Sequence, residues 1–233
     1  MAQRKTPEAT TQAFFTPALF RFLRDLQENN DREWFQANKD RFESEVRQPM
    51  LAFIMALGDP LQRLNKHFLA DPRPLGGSMF RIVRDTRFSK DKSPYKTNVG
   101  AQFRHRECPR DVHSPGFYLH LEPGGCFVGA GLWHPDADSL RKVRERIVSH
   151  SKDWQALAKA GLEVHGDTLQ RVPQGFDAKH PLAEALKLKD FYTDTALAER
   201  DLCAPDFLER FVGICRSNLP LMAFLTKALD LPW

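Results

Sequence analysis

The sequence predicts an α+β protein with a mainly antiparallel sheet of about four or more strands in the middle of the chain, packed by N-terminal and C-terminal helices. Two observations carry this. Apolar residues recur at helical spacing before residue 60 and again after residue 139, whereas from Ser78 they fall in short, β-rich and mostly alternating runs separated by turn residues. Helices, then strands, then helices is an α+β order. With 233 residues the chain can bury roughly 70 to 75% of its unfolded surface, so neither disulfides nor a metal are needed for folding.

Thr16 before Pro17 forms an N-cap and first-turn pair, and Leu19, Phe22, Leu23 and Leu26 continue a helix to about Glu28. Asn30 with Glu33 resembles a capping box, and Trp34, Phe35, Phe42 and Val46 stripe a second helix ending near Pro49. A third runs from Met50 to about Leu57 and resumes after Pro60. The strand candidates are FRIV, NVGAQF, GFYLHL and CFVGAGLW. With a turn at Gly124 and Gly125, or a longer loop from Pro123 to Cys126, Leu121 pairs with Val128, Leu119 with Ala130 and Phe117 with Leu132, which makes one face apolar. The other face carries Glu122, His120 across from Gly129, and Tyr118 across from Gly131. Those glycines either permit a bulge or close packing, or leave room for a ligand. Helical spacing returns with Leu140, Val143, Ile147, Trp154 and Leu157, and with Phe207, Phe211, Cys215, Phe224 and Leu229 around a kink at Pro220. His180 and Pro181 start a short helix through Leu186. The expected organisation is a flexible tail over residues 1–13 and one α+β domain over residues 14–233.

A net charge of +4 is too small to make the whole chain a polycation, so affinity for nucleic acid has to come from a local patch. Cys108, Cys126, Cys203 and Cys215 include no CxxC pair and are expected to be free thiols. The polar N-terminus lacks the apolar run of a secretory signal, and no stretch approaches a membrane span. A cytoplasmic protein without a membrane partner is expected. His105, Cys108 and His113 match no zinc spacing, and GxSxG, HExxH and GxGxxG are missing, so no metal and no cofactor are expected.

The chemistry concentrates in FRIVRDTRFSKDKSPYKTN, residues 80–98. Six cations against two carboxylates give it a net +4, equal to the charge of the entire chain. Arg81, Arg84 and Arg87, three apart, can converge forked donors on a phosphate or carboxylate, with Lys92 and Lys96 adding point charge. Asp85 can orient a guanidinium, Tyr95 is a hydrogen-bonding aromatic, and Tyr118 and His120 can supply hydrogen bonds or proton transfer.

RIVRDTRFSKDKSPYKTN resembles the central signature of the domain of unknown function 2461 family of mostly bacterial proteins. The resemblance extends to FTPALFRFLRDLQENNDREWF upstream and to YLHLEPGGCFVGAGLWHP and LQRVPQGFD downstream. It implies no particular activity, cofactor or catalytic residue. Three functions therefore stay open for the basic segment. It is a site for a phosphorylated small molecule, with or without catalysis. Alternatively its arginines form internal ion pairs in a structural or interaction module. Or it binds nucleic acid, with Phe88, Tyr95 and Phe103 interleaved among its cations and Arg104, Arg106 and Arg110 added to them.

Overall fold

Why the chain opens with three short helical pieces before one long one is settled by its capping and proline chemistry. The computed structural model describes residues 13–109 and 111–233; most of the expected tail, and Arg110, lie outside these. Helix α1 (Pro17–Glu28) follows an extended Thr16 and buries Leu19, Phe20, Phe22, Leu23 and Leu26, as its spacing predicts. Helix α2 (Arg32–Ala37) is capped by Asp31, whose carboxylate accepts from the Trp34 N–H at 2.8 Å. This corrects the expected Asn30 cap: Asn30 exchanges two hydrogen bonds with the Tyr95 backbone instead.

A short helix α3 (Lys39–Arg41) leads into a π-helical turn (Phe42–Arg47) and the long α4 (Gln48–Leu64). Neither Pro49 nor Pro60 ends a helix, contrary to expectation. Pro49 has no N–H to offer the Glu45 carbonyl, and the wide turn before it, in which the Gln48 N–H reaches Glu43 O, removes the need for that bond.

The sheet has four antiparallel strands in the order β1 (Val99–Arg104), β2 (Gly116–Leu121), β3 (Cys126–Leu132) and β4 (Phe191–Leu197). Three were expected. FRIV is no strand: residues 78–80 bond to the β1 edge, and Val83 bridges to Tyr95. The missed fourth strand, FYTDTAL, lies at the edge, and its outer half is exposed, so apolar alternation fades there. The β2–β3 register also differs from expectation, with Leu119 opposite Val128, Phe117 opposite Ala130 and Tyr118 opposite Gly129. The loop is the four-residue turn of Glu122, Pro123, Gly124 and Gly125, closed by Gly125 N–H to Glu122 O at 3.0 Å with Gly124 at φ +75. The expected turn is centred one residue later, on Gly124 and Gly125, which shifts each cross-strand partner by two residues and preserves which side chains share a face.

Helices α5 (Ala137–Ser149), α6 (Ser151–Lys159), α7 (Ala183–Lys187), α8 (Glu199–Leu202), α9 (Phe207–Ser217) and α10 (Leu219–Ala228) complete the fold, with Pro220 in the first turn of α10. Two apolar clusters form. One joins α1, α4 and α9 to the inner sheet face through Phe53, Phe103, Phe117, Val128 and Phe211. The other gathers Leu132, Val143, Ile147, Trp154, Phe191 and Phe224. All four cysteines are free, and no helix among the described residues is long and apolar enough to cross a membrane.

Candidate functional site

Alternation along each strand sends Leu119, Val128 and Phe103 inward and leaves a distinct outer face. Its side chains fall into three rows across the sheet. Arg104, Gly116, Gly131 and Tyr192 form the first; Gln102, Tyr118, Gly129 and Asp194 the second; Gly100, His120, Phe127 and Ala196 the third. The glycines differ in what they permit. A Cβ on Gly100 would collide with the Tyr118 hydroxyl, and one on Gly131 would strike the β4 backbone. Gly129 has ordinary space, its nearest neighbours 3.7 Å from an added Cβ. Close packing explains Gly100 and Gly131, while buried Gly129 would take a methyl group beside Tyr118 at ordinary contact distance.

Tyr118, His120 and Glu122 alternate along β2 and its turn, which puts all three side chains on the outer side. They form one hydrogen-bonded chain: Tyr118 Oη lies 3.1 Å from His120 Nδ1, and His120 Nε2 lies 3.1 Å from Glu122 Oε2. The His120 ring stacks on Phe127 at 4.7 Å, and its side chain is only 11% exposed. Glu122 reaches solvent. Burial, with a lesser effect of the Glu122 charge, pushes the Tyr118 phenol up to about 12, so it stays protonated at neutral pH.

Phe80 packs beside Tyr118, with ring centroids 6.0 Å apart. Two cations flank the Phe80 ring, Lys96 Nζ at 5.4 Å and the Arg104 guanidinium at 5.6 Å. Burial first, then repulsion from Arg81, lowers Lys96 from the ordinary lysine value, and burial lowers Arg104. Arg104 donates to Gln102 Oε1 and Pro109 O, and Asp111 favours its charge from nearby. None of Arg81, Lys96 and Arg104 forms an ion pair with a carboxylate among the described residues.

The remainder of the basic segment is a ribbon, with Arg84 N–H bonded to Pro94 O at 2.9 Å and Lys96 N–H to Ile82 O at 2.8 Å. Its guanidinium groups are spoken for. Arg84 pairs with Asp91, and Arg87 grips Asp85 in a fork with its nitrogens at 2.7 and 3.0 Å. Lys92 donates to the Thr86 carbonyl at 3.0 Å. Arg84 holds the Asp91 carboxyl well below the usual carboxylate range, helped by Ser93, and Arg87 lowers Asp85 likewise.

A family model described as Conserved hypothetical protein (DUF2461) matches residues 18–224. The chain belongs to the DUF2461 family. No curated protein and no solved structure matches it. The family match runs from α1 into α10, so the whole outer face of this DUF2461 chain lies within it.

Of the residues that the sequence singles out, the DUF2461 structure groups Arg81, Lys96, Tyr118 and His120 around Phe80 and the outer face. Arg84, Arg87, Lys92 and Asp85 sit farther along the ribbon in their own pairs. The Tyr95 ring faces inward, stacked on Phe35 at 4.0 Å, and Phe103 is fully buried, which leaves Phe88 as the exposed aromatic of that trio. His105 and His113 bond to the Pro232 and Trp133 carbonyls respectively. Arg104, named from the sequence only among the cations of the nucleic-acid reading, and Phe80 were missed as members of this group. Alternation in NVGAQFR places Arg104 on the polar face with Gly100 and Gln102, but the row of β2 that it joins depends on the β1–β2 register, to which the local sequence gives no clue.

Proposed function

We propose that the chain binds a phosphorylated small molecule on the outer sheet face. The observation that carries this is a pair of partly buried cations, Lys96 and Arg104, against a half-buried Phe80 and without ion-paired carboxylates, with the charge of exposed Arg81 acting on Lys96. Like charges held together and partly desolvated gain most from an anion among them. Arg104 offers the planar donor set that suits phosphate, and Lys96 a point charge. Lys92 extends the positive field along the ribbon, and the exposed carboxylates paired with Arg84 and Arg87 are open to exchange for a phosphate oxygen.

Isothermal titration with inorganic phosphate and a panel of sugar and nucleoside monophosphates, at matched ionic strength, tests the site. A ligand at 100 times its dissociation constant adds about 2.7 kcal/mol of stability, a shift that thermal unfolding resolves. Exchange of Lys96 and Arg104 for Gln removes the binding. If no anion binds, or if both Gln variants bind as the parent does, the site is not there.

The pairing of Arg84 with Asp91 and of Arg87 with Asp85 favours a second reading, in which the ribbon is an internally braced interaction module. In that case exchanging either arginine lowers stability and leaves anion binding unchanged.

A further inference from the structure

The hydrogen-bonded chain on β2 has a property that anion binding alone does not use. Ionised Glu122 can only accept, so His120 Nε2 must carry a proton and donate to it at 3.1 Å. In a neutral imidazole Nδ1 is then an acceptor, and the Tyr118 hydroxyl must donate to it at 3.1 Å. Tyr118 has one proton, so in this state it presents only lone pairs to anything beyond it, and these repel an anion. Protonation of His120 reverses the last bond. Nδ1–H donates to the Tyr118 oxygen, and the phenolic O–H is free to turn outward and donate to an anion.

We propose that the outer face takes up a dianion together with one proton, which is stored on His120 and presented through Tyr118. This rests on the anion site described above and adds to it the charge class of the ligand and its pH dependence. The surroundings suit the coupling. Glu122, open to solvent, is both the proton's entry point and the counter-charge of the imidazolium. Across the sheet, β1 and β3 place only Gly100 and Phe127 next to His120, and Ala196 follows on β4, so those strands set no competing charge beside it. Lys96 and Arg104 at Phe80, with Arg81 acting on Lys96, supply the positive charge that a dianion neutralises. The phenol remains a phenol throughout, because burial pushes it up to about 12. No bond other than O–H and N–H changes. The proton leaves solvent, arrives on His120, and is lent to the anion as a hydrogen bond from Tyr118.

By linkage, a ligand that favours the protonated state binds more tightly as pH falls, by at most about tenfold per pH unit for one linked proton. Sulfate is the probe, since it stays a dianion throughout and only the protein can titrate. Calorimetric titration with sulfate from about pH 5.5 to about pH 8, in buffers of different ionisation enthalpy, should give a net proton uptake on binding, at most about one proton per sulfate. His120→Gln should bind sulfate with no proton uptake and a flat pH profile. Tyr118→Phe, which removes the hydroxyl that donates to the anion, should weaken sulfate binding at low pH and lose most of the coupling. Glu122→Gln, which removes the counter-charge, should move the affinity drop to lower pH. Sulfate binding without proton uptake in the parent, or equal uptake in His120→Gln, overturns the coupling and leaves the anion site standing. If sulfate binds at no pH, both fall together.

Discussion

Gly100 and Gly129 flank the same aromatic pair and carry opposite constraints. A side chain at Gly100 would displace the Tyr118 hydroxyl, which is held among Phe80, Phe127 and His120, so the ring has little freedom to yield. Gly100→Ala should therefore cost about 1 to 3 kcal/mol by overpacking and break the Tyr118–His120 bond. Gly129→Ala meets only ordinary contacts and should stay within about 0.5 kcal/mol of the parent. Urea unfolding of the two variants measures the difference, and equal stabilities would refute the packing argument. The sequence showed the hydrophobic and polar faces of β2 and β3 because alternation alone sets them. Which residue opposes which depends on the turn, and the turn is centred on Pro123 and Gly124, one residue earlier than expected, so His120 faces Phe127 and Tyr118 faces Gly129. At the site itself, Tyr118 and His120 were legible from that polar face. Arg104 was not, because it joins them only through long-range strand pairing.

At the scale of elements, Asn30 supplies hydrogen bonds that fasten the basic ribbon to the helical layer. Asn30 donates to Tyr95 O at 3.0 Å and accepts from Tyr95 N–H at 3.1 Å, while the Tyr95 ring stacks on Phe35. Asn30→Ala removes both bonds and should cost about 1 to 3 kcal/mol, with faster amide exchange concentrated in residues 82–96. Unchanged exchange there would mean that the ribbon is held by its own pairs. Helix α5 makes a pH-dependent contribution. Its cap, Asp136, accepts from the Ser139 N–H at 2.7 Å, and that hydrogen bond, first among the causes, lowers its carboxyl from the ordinary value. A carboxyl lowered in the folded state stabilises above its unfolded value, and the contribution is lost as pH falls through the folded one. Asp136→Ala should thus destabilise by about 1 kcal/mol at neutral pH, with the deficit shrinking in acid; a deficit that grows in acid would contradict the cap. Helix stripes were legible in the sequence and their ends less so. The Asn30 side chain belongs to a distant strand-like segment, and Pro49 is accommodated by a π-helical turn that no local pattern announces.

Over the whole molecule, the α+β order was readable from the change of period, but the second apolar cluster was only half visible. Its helical stripes are regular, whereas Phe191 enters on an edge strand whose outer residues are polar. The two clusters share structure. Strand β3 sends Val128 and Ala130 into one and Leu132 into the other, and α10 likewise divides Met222 from Leu221, Phe224 and Leu225. Neither cluster can lose its packing without stripping support from a strand and a helix of its neighbour, so unfolding should be one cooperative transition. Two tryptophans report the clusters separately. Trp34 packs on Phe22 at 5.7 Å in the first, and Trp154 meets Phe224 at 5.2 Å and Phe191 at 5.9 Å in the second. In variants that keep only one of these fluorophores, with the other tryptophans replaced by Phe, urea unfolding followed by emission should give coincident midpoints once each variant's own stability is measured by far-ultraviolet dichroism. Leu132→Ala, at the junction, should cost about 2 to 5 kcal/mol and move both reporters by the same amount. A Trp154 transition that precedes the Trp34 transition would show that the helices around Leu132 form a separate unit, and the single domain expected over residues 14–233 would then divide at β3.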